Sequence, residues 1–267
     1  MFKEVTLGQY YPADSLLHKL DPRVKFVGTV IFIVSVFLVK GIVGYAFVSV
    51  VLASLIALSK VPFRFILKGM KAILLILCIT MIFNMFLTPG EVIFQKWIFK
   101  ITREGVIQAV RMGVRLAYLV IGSSLMTLTT TPNQLTDAME RLFSPLKVIH
   151  VPVHEVAMMM SIALRFIPIL MEETDKIMKA QIARGADFES GNIFRRIMNM
   201  IPLLVPLFVS AFRRANDLAM AMEARCYHGG EGRTQMKPLK YAGRDYAAYV
   251  LILGFLAACI VFRITGR

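Results

Sequence analysis

Five long apolar stretches constrain this chain more than any other feature of its sequence. They lie at residues 24–39, 41–59, 72–88, 105–129 and 246–262. A helix needs about 20 mostly apolar residues to cross the hydrocarbon core of a bilayer. The composition agrees, because 57% of the 267 residues are hydrophobic, whereas a soluble domain is typically about 45–50% apolar. The sequence therefore predicts an all-α, polytopic protein of the cell membrane, with about five transmembrane helices in the lipid bilayer.

Positively charged residues predict how these helices are oriented. The net charge is +14, and the cytoplasmic loops of membrane proteins are rich in Lys and Arg. The first connection has only Lys40, whereas the N-terminal segment and the second connection are basic, with Lys3, Lys19, Arg23, Lys25, Lys60, Arg64, Lys68 and Lys71. We expect a cytoplasmic N-terminus, retained without a cleaved signal peptide, and a C-terminus outside. Because the charges flank apolar stretches, we expect no nucleic-acid binding.

Hydropathy divides the chain into three parts. Residues 1–129 contain the N-terminal segment and four spans, residues 130–245 form a region at the cytoplasmic face, and residues 246–267 contain the last span and the C-terminus. Within the first part, the stretch VIFQKWIFKITREG follows a Thr-Pro-Gly turn signal. This stretch predicts an interfacial hairpin or loop.

The part between residues 130 and 245 contains two long runs with helical periodicity, at 153–185 and 192–227, each apolar first and charged last. A helix of about thirty residues is about 45 Å long, which is more than the hydrocarbon core requires. We expect long amphipathic helices that lie obliquely at the cytoplasmic face, with their charged ends in water. Their many methionines suit either core filling or a surface that binds partners. Proline should bend both helices, at Pro168, Pro202 and Pro206.

Both runs end in the same short pattern of alanine, arginine and a small residue. The patterns are Ala183-Arg184-Gly185 and Ala224-Arg225-Cys226. One interpretation is a helix cap, because a cation near a helix C-terminus contributes about 0.3–1 kcal/mol and glycine suits the position after the last turn. The other is docking, because the rigid donor fork of arginine matches carboxylates and carbonyls of a partner. Repetition at two helix ends favours docking.

The sequence lacks the motifs of an enzyme or an ion-coupled carrier. It contains no Walker phosphate-binding loop and no glycine-rich dinucleotide fingerprint. The pair His154-Glu155 begins like a zinc-protease motif, but Met158 occupies the position of the second histidine. The five apolar stretches also lack the interior carboxylates that coupled carriers use. We therefore expect no catalytic residue, no metal site and no cofactor bound by this chain.

Four stretches carry a resemblance to a known family. They are GQYYPADSLLHKLDPRVKF at 8–26, TPNQLTDAMERLFSPL at 131–146, ALRFIPILMEETDKIMKAQIARGADF at 163–188 and PLLVPLFVSAFRRANDLAMAMEARCYHGGEGRT at 202–234. With the hydropathy pattern, the whole chain resembles the transmembrane T component (EcfT family) of energy-coupling factor (ECF) transporters. The resemblance implies a non-catalytic subunit whose crossing coupling helices dock onto two cytoplasmic ABC ATPases, which bind ATP. It also implies a small membrane-embedded S component that binds the substrate and is toppled by ATP-driven movement of these helices.

The resemblance assigns the two arginine patterns to the two ATPases. Arg184 docks to one ATPase and Arg225 to the other. The motifs are completed by Ala183, Gly185 and Ala224. Cys226 departs from the family, which usually has glycine there. If the position requires a positive φ, a Cβ costs about 1 kcal/mol, whereas a position that requires only close approach accepts cysteine.

The resemblance is closest to the shared class of T components, which serve several vitamin-specific S components. A dedicated T component for cobalt or nickel uptake is the first alternative. A self-sufficient secondary carrier is the second, and it would require inverted repeats and helices broken at the membrane midplane.

Overall fold

The computed structural model of the protein describes residues 10–96, 99–188, 193–230, 236 and 238–265. The helices are α1 (Pro22–Leu38), α2 (Ile42–Ser59), α3 (Phe63–Leu87), α4 (Arg103–Thr129), α5 (Pro132–Phe143), α6 (Val153–Ala183), α7 (Ile193–Asn199), α8 (Ile201–Ala224) and α9 (Gly243–Ile264). A short 3-10 helix, Ser144–Ile149, follows α5, and two strands, β1 (Val92–Lys96) and β2 (Phe99–Thr102), lie between α3 and α4. The predicted all-α class is confirmed, with this one hairpin added.

The chain forms two compact units. The bundle unit contains Gly8–Ala138 and Leu239–Arg267, and the arm unit contains Met139–Pro238. In the bundle unit, α1, α2, α3, α4 and α9 surround a core that includes Phe32, Val36, Val48, Leu52, Ile66, Leu125, Leu128 and Cys259. At Gly122 of α4, a Cβ would lie 2.5 Å from a ring carbon of Phe32, so glycine permits the close approach of α1 and α4.

A buried carboxylate holds the first turns of α1 and α9 together. Asp245 is 1% exposed and accepts the backbone N–H of Asp21 at 2.9 Å and that of Ala242 at 2.8 Å. Asp21 is the N-cap of α1 and accepts bonds from the backbone and guanidinium of Arg23. Burial opposes ionisation of Asp21, yet the hydrogen bonds and charge of Arg23 outweigh it and lower the pKa of Asp21 below its usual value. Two helices of the bundle unit therefore begin at one shared polar cap.

Within the described residues, five helical segments are long and apolar enough to cross a membrane, judged by length and composition. Three are α2, α4 and α9, which coincide with predicted spans. The other two belong to the arm unit: α6, and the segment Ile197–Ala224 that includes α8. The predicted spans at 24–39 and 72–88 correspond to α1, with 17 residues, and to the apolar part Ile73–Leu87 of α3. The multi-pass membrane class is confirmed. The two segments of the arm unit are candidate spans in addition to those that the sequence predicted.

The sequence predicted a hairpin or a loop between α3 and α4, and the structure has a hairpin there. The strands β1 and β2 pair antiparallel, with Val92 opposite Thr102. The Thr102 hydroxyl donates to the Thr88 carbonyl at 2.8 Å and accepts the Gly105 N–H at 3.1 Å. One side chain thus links the end of α3 to the first turn of α4.

The second periodic run is not one continuous bent helix. It is divided into α7 and α8 at Met200, and Pro202 lies in the first turn of α8. Proline lacks the N–H that an interior turn requires but is tolerated in a first turn, where that N–H has no intrahelical partner. Pro202 thus lies next to an interruption of one residue, Met200, whose backbone is in the α conformation. The bend predicted at Pro202 stays a prediction. Pro168 and Pro206 do lie inside α6 and α8.

Candidate docking tips of the arm helices

The α6 tip ends in a tightly defined turn. Arg184 is the C-cap, and Gly185 follows with φ +88°. The Gly185 N–H donates to the Ile182 carbonyl at 2.9 Å, and the next N–H donates to the Gln181 carbonyl at 3.0 Å. This pair of bonds is a Schellman motif, which requires a left-handed residue directly after the cap.

The α8 tip repeats the same geometry. Arg225 is the C-cap, and Cys226 follows with φ +54°. The Cys226 N–H donates to the Glu223 carbonyl at 2.8 Å, and the next N–H donates to the Met222 carbonyl at 3.1 Å. The repeated sequence pattern is therefore a repeated backbone structure, and its third position is left-handed in both copies. The departure from glycine at Cys226 falls where a Cβ is unfavourable.

All six residues of the two patterns lie on the surface of the arm unit. These exposed residues are Ala183, Arg184, Gly185, Ala224, Arg225 and Cys226. A Cβ at Gly185 would meet no atom within 4 Å. In the described part of the chain, neither tip arginine has a hydrogen bond or an ion pair. The tips present two arginine forks beside small, open positions.

The helix-cap interpretation and the docking interpretation make different geometric demands. A capping arginine would donate to the last carbonyls of its own helix. In each tip, two of these carbonyls accept backbone N–H groups of the turn instead. The positive charge still lies favourably at the negative end of each helix dipole. The N–H donors of both guanidinium groups are therefore available to acceptors outside the described part of the chain.

A side-chain bridge joins the two arm helices, and the sequence analysis missed it. Glu173 of α6 accepts the Ser210 hydroxyl at 2.7 Å and Arg214 Nη2–H at 2.6 Å, both from α8. Glu173 precedes Arg184 by eleven residues, and Arg214 precedes Arg225 by eleven residues. Each tip is thus about 16 Å of helix from the same bridge. The equal spacing was readable in the sequence, but the contact across 41 residues was not.

Comparison with known proteins gives a consistent result over nearly the whole chain. The sequence model of the CbiQ family, described as cobalt transport protein, matches residues 13–236. The chain is 54% identical over 267 residues to the energy-coupling factor transporter transmembrane protein EcfT of Clostridium kluyveri, covering 99% of this chain and 98% of that protein. Its identity to the protein of the same name from Bacillus subtilis is 48% over 263 residues, covering 98% and 99%. The corresponding protein of Thermosediminibacter oceani is 50% identical over 248 residues, covering 93% and 94%.

Proposed function

The chain belongs to the CbiQ family and to its EcfT members, the transmembrane proteins of energy-coupling factor transporters, and from this premise we propose that it is a non-catalytic coupling subunit. In this function it transmits ATP-driven movement of two cytoplasmic ABC ATPases to a substrate-binding S component, for uptake of vitamins. The ATPases bind and hydrolyse ATP, and this chain binds no cofactor.

The observation that carries the proposal is the pair of matching helix tips. Two exposed arginines follow two long helices, each held by the same Schellman turn. A turn fixed by backbone bonds holds the backbone of its arginine in one conformation, which lowers the backbone entropy lost on docking. Arginine forks bind carboxylates or carbonyls in a bidentate manner, and small neighbours let a partner approach the backbone. Two tips match two ATPases, with Arg184 on one and Arg225 on the other.

The exposed apolar surface of the arm helices supports the proposed contact with an S component. Met159 and Met160 of α6 are 58% and 47% exposed, and Met220 of α8 is 68% exposed. These methionines do not fill a core of the described chain and are available to an apolar partner. An S component is apolar and would cover such a surface, whereas the charged tips would lie in the cytoplasm together with the N-terminus.

The experiment that tests the function is affinity purification of the tagged full-length chain from its own host after gentle solubilisation. Mass spectrometry should find two ABC ATPase subunits and one or more small apolar membrane proteins in stoichiometric amounts. Recovery of the chain alone, with transport retained after reconstitution, would refute the coupling function and favour a self-sufficient carrier.

The description of the matching family as cobalt transport protein favours one second candidate, a dedicated T component for cobalt or nickel. Uptake assays separate the two. Cells with the chain should accumulate radiolabelled vitamins, offered one at a time, and cells lacking it should not. Loss of radioactive cobalt or nickel uptake alone would favour the dedicated metal system.

A further inference from the structure

The groove between α6 and α8 is lined mostly by apolar side chains, and Arg214 is the one charged residue among the described residues that line it. Alanines at four-residue spacing, Ala211, Ala215 and Ala219, line one side of a cavity of about 290 Å³. Bulky residues of α6, including Ile162 and Phe166, line the other side. Small side chains let helices approach closely, but apolar contacts have no preferred direction. Ala215 and Ala219 are exposed, so this open groove does not fix how one helix is rotated or shifted against the other.

The Glu173 bridge is a directional contact that can fix the rotation and register of α6 against α8. Its two carboxylate oxygens accept from two residues one turn apart on α8, Ser210 and Arg214. Both bonds are satisfied in only one register of the helices, and charge-assisted bonds are stronger than neutral ones. The Glu173 side chain is 25% exposed and that of Arg214 is 40% exposed, so water screens the pair only in part. Among the described residues, this is the one hydrogen-bonded bridge between α6 and α8.

We propose that Glu173 is a positioning residue that fixes the crossing of the two arm helices, so that displacement of one docking tip is passed to the other. The inference rests on the proposed function. The bridge lies eleven residues before each tip arginine, so both helices extend about three turns beyond a common fixed point. Without the bridge, one helix and its tip can move without moving the other helix.

The first test measures the crossing directly in the full-length chain in lipid nanodiscs. Nitroxide labels at Lys179 and Met220, both exposed, report the distance between the helices in a background with the native cysteines replaced by alanine. Wild type should give one narrow distance distribution. Glu173→Ala and Arg214→Ala should broaden it, and the exchanged pair E173R with R214E should narrow it again. An unchanged width in both single variants would overturn the proposal.

The second test separates positioning from docking. Glu173→Gln should leave both ATPases copurifying in wild-type amounts while vitamin uptake falls about tenfold, within the range by which mutations in coupling networks act. The neighbouring exposed residues provide matched controls, because Glu172→Gln and Arg213→Gln remove the same charges one position away. Both controls should keep normal uptake. A merely structural defect would lower membrane yield, ATPase recovery and uptake together.

The outcomes distinguish the two ideas. If wild type recovers no ATPases, the proposed function fails. If wild type recovers ATPases and Glu173→Gln transports normally, the proposed function stands and the positioning role of Glu173 is wrong. Wild-type uptake in the exchanged pair, after loss in each single variant, would support the bridge itself.

Discussion

Single residues at the helix tips are defined by backbone conformation. Both Gly185 and Cys226 have positive φ, and the space around Gly185 is open, so close approach within the described chain is not what selects a small residue there. Of the two sequence alternatives for Cys226, the one that requires a left-handed backbone is confirmed. A residue with a Cβ costs about 1–2 kcal/mol in that conformation.

Replacing Cys226 with glycine should therefore stabilise the α8 tip. We expect a gain of about 1 kcal/mol, because the strain of the Cβ exceeds the entropy lost by glycine on folding. Hydrogen exchange measures the gain locally, at the two N–H groups that close the Schellman turn after α8. These amides should exchange about fivefold more slowly in Cys226→Gly.

Two further variants check the cause of that gain. Cys226→Ala keeps the Cβ and removes the thiol, so its exchange rates should match wild type. Gly185→Ala introduces the same strain at the α6 tip and should accelerate exchange there. Faster exchange in Cys226→Gly than in wild type would contradict the backbone explanation.

The α6 end was predictable from sequence and the α8 end only by analogy. Gly185 is the usual signal for a left-handed residue after a helix. Cys226 carries no such signal, because cysteine rarely adopts positive φ. Its conformation follows from the two backbone hydrogen bonds of the turn. These bonds cannot be read from the sequence.

At the scale of elements, the shared cap of α1 and α9 is the clearest case of one side chain organising two helices. Asp245→Ala should destabilise the bundle unit by about 2–4 kcal/mol, because it leaves two backbone N–H groups without acceptors. The measurement is the temperature at which the monodisperse peak of the solubilised chain is lost. Asp14→Ala removes an exposed aspartate and is the matched control, with no change expected. Equal midpoints for the two variants would exclude the cap role.

Element types were predicted well and element boundaries less well. Hydropathy identified the helices of the bundle unit, since apolar length is a direct consequence of bilayer thickness. The division between α7 and α8 was missed because the apolar periodicity continues across Met200. Proline at 202 was assigned a bend, and the helical run is interrupted two residues before it, at Met200.

At the scale of the whole molecule, hydropathy predicted the membrane class but not which helix faces meet. The bridge from Glu173 to Arg214 connects residues 41 positions apart, and both lie in charged helix halves that look solvated in the sequence. Only the packing of α6 against α8 brings them together. The same packing sets both tips at equal helical distance from the Glu173 bridge, and the proposed docking to two ATPases uses both tips.

The proposed docking of both tips predicts that the two tip arginines act together. Arg184→Glu or Arg225→Glu alone should lower ATPase recovery about tenfold or more, as expected for an arginine at the centre of an interface. The double variant should lose more than either single variant, because each bound tip raises the effective concentration of the other site. ATPase recovered per tagged chain is measured by quantitative mass spectrometry. Arg213→Glu, an exposed charge reversal on α8 away from the tip, should bind normally, and equal membrane yields of all variants establish that insertion is intact. Normal ATPase content in the double variant would leave the two arginines with only the helix-dipole role, and the matching turns would then be structural.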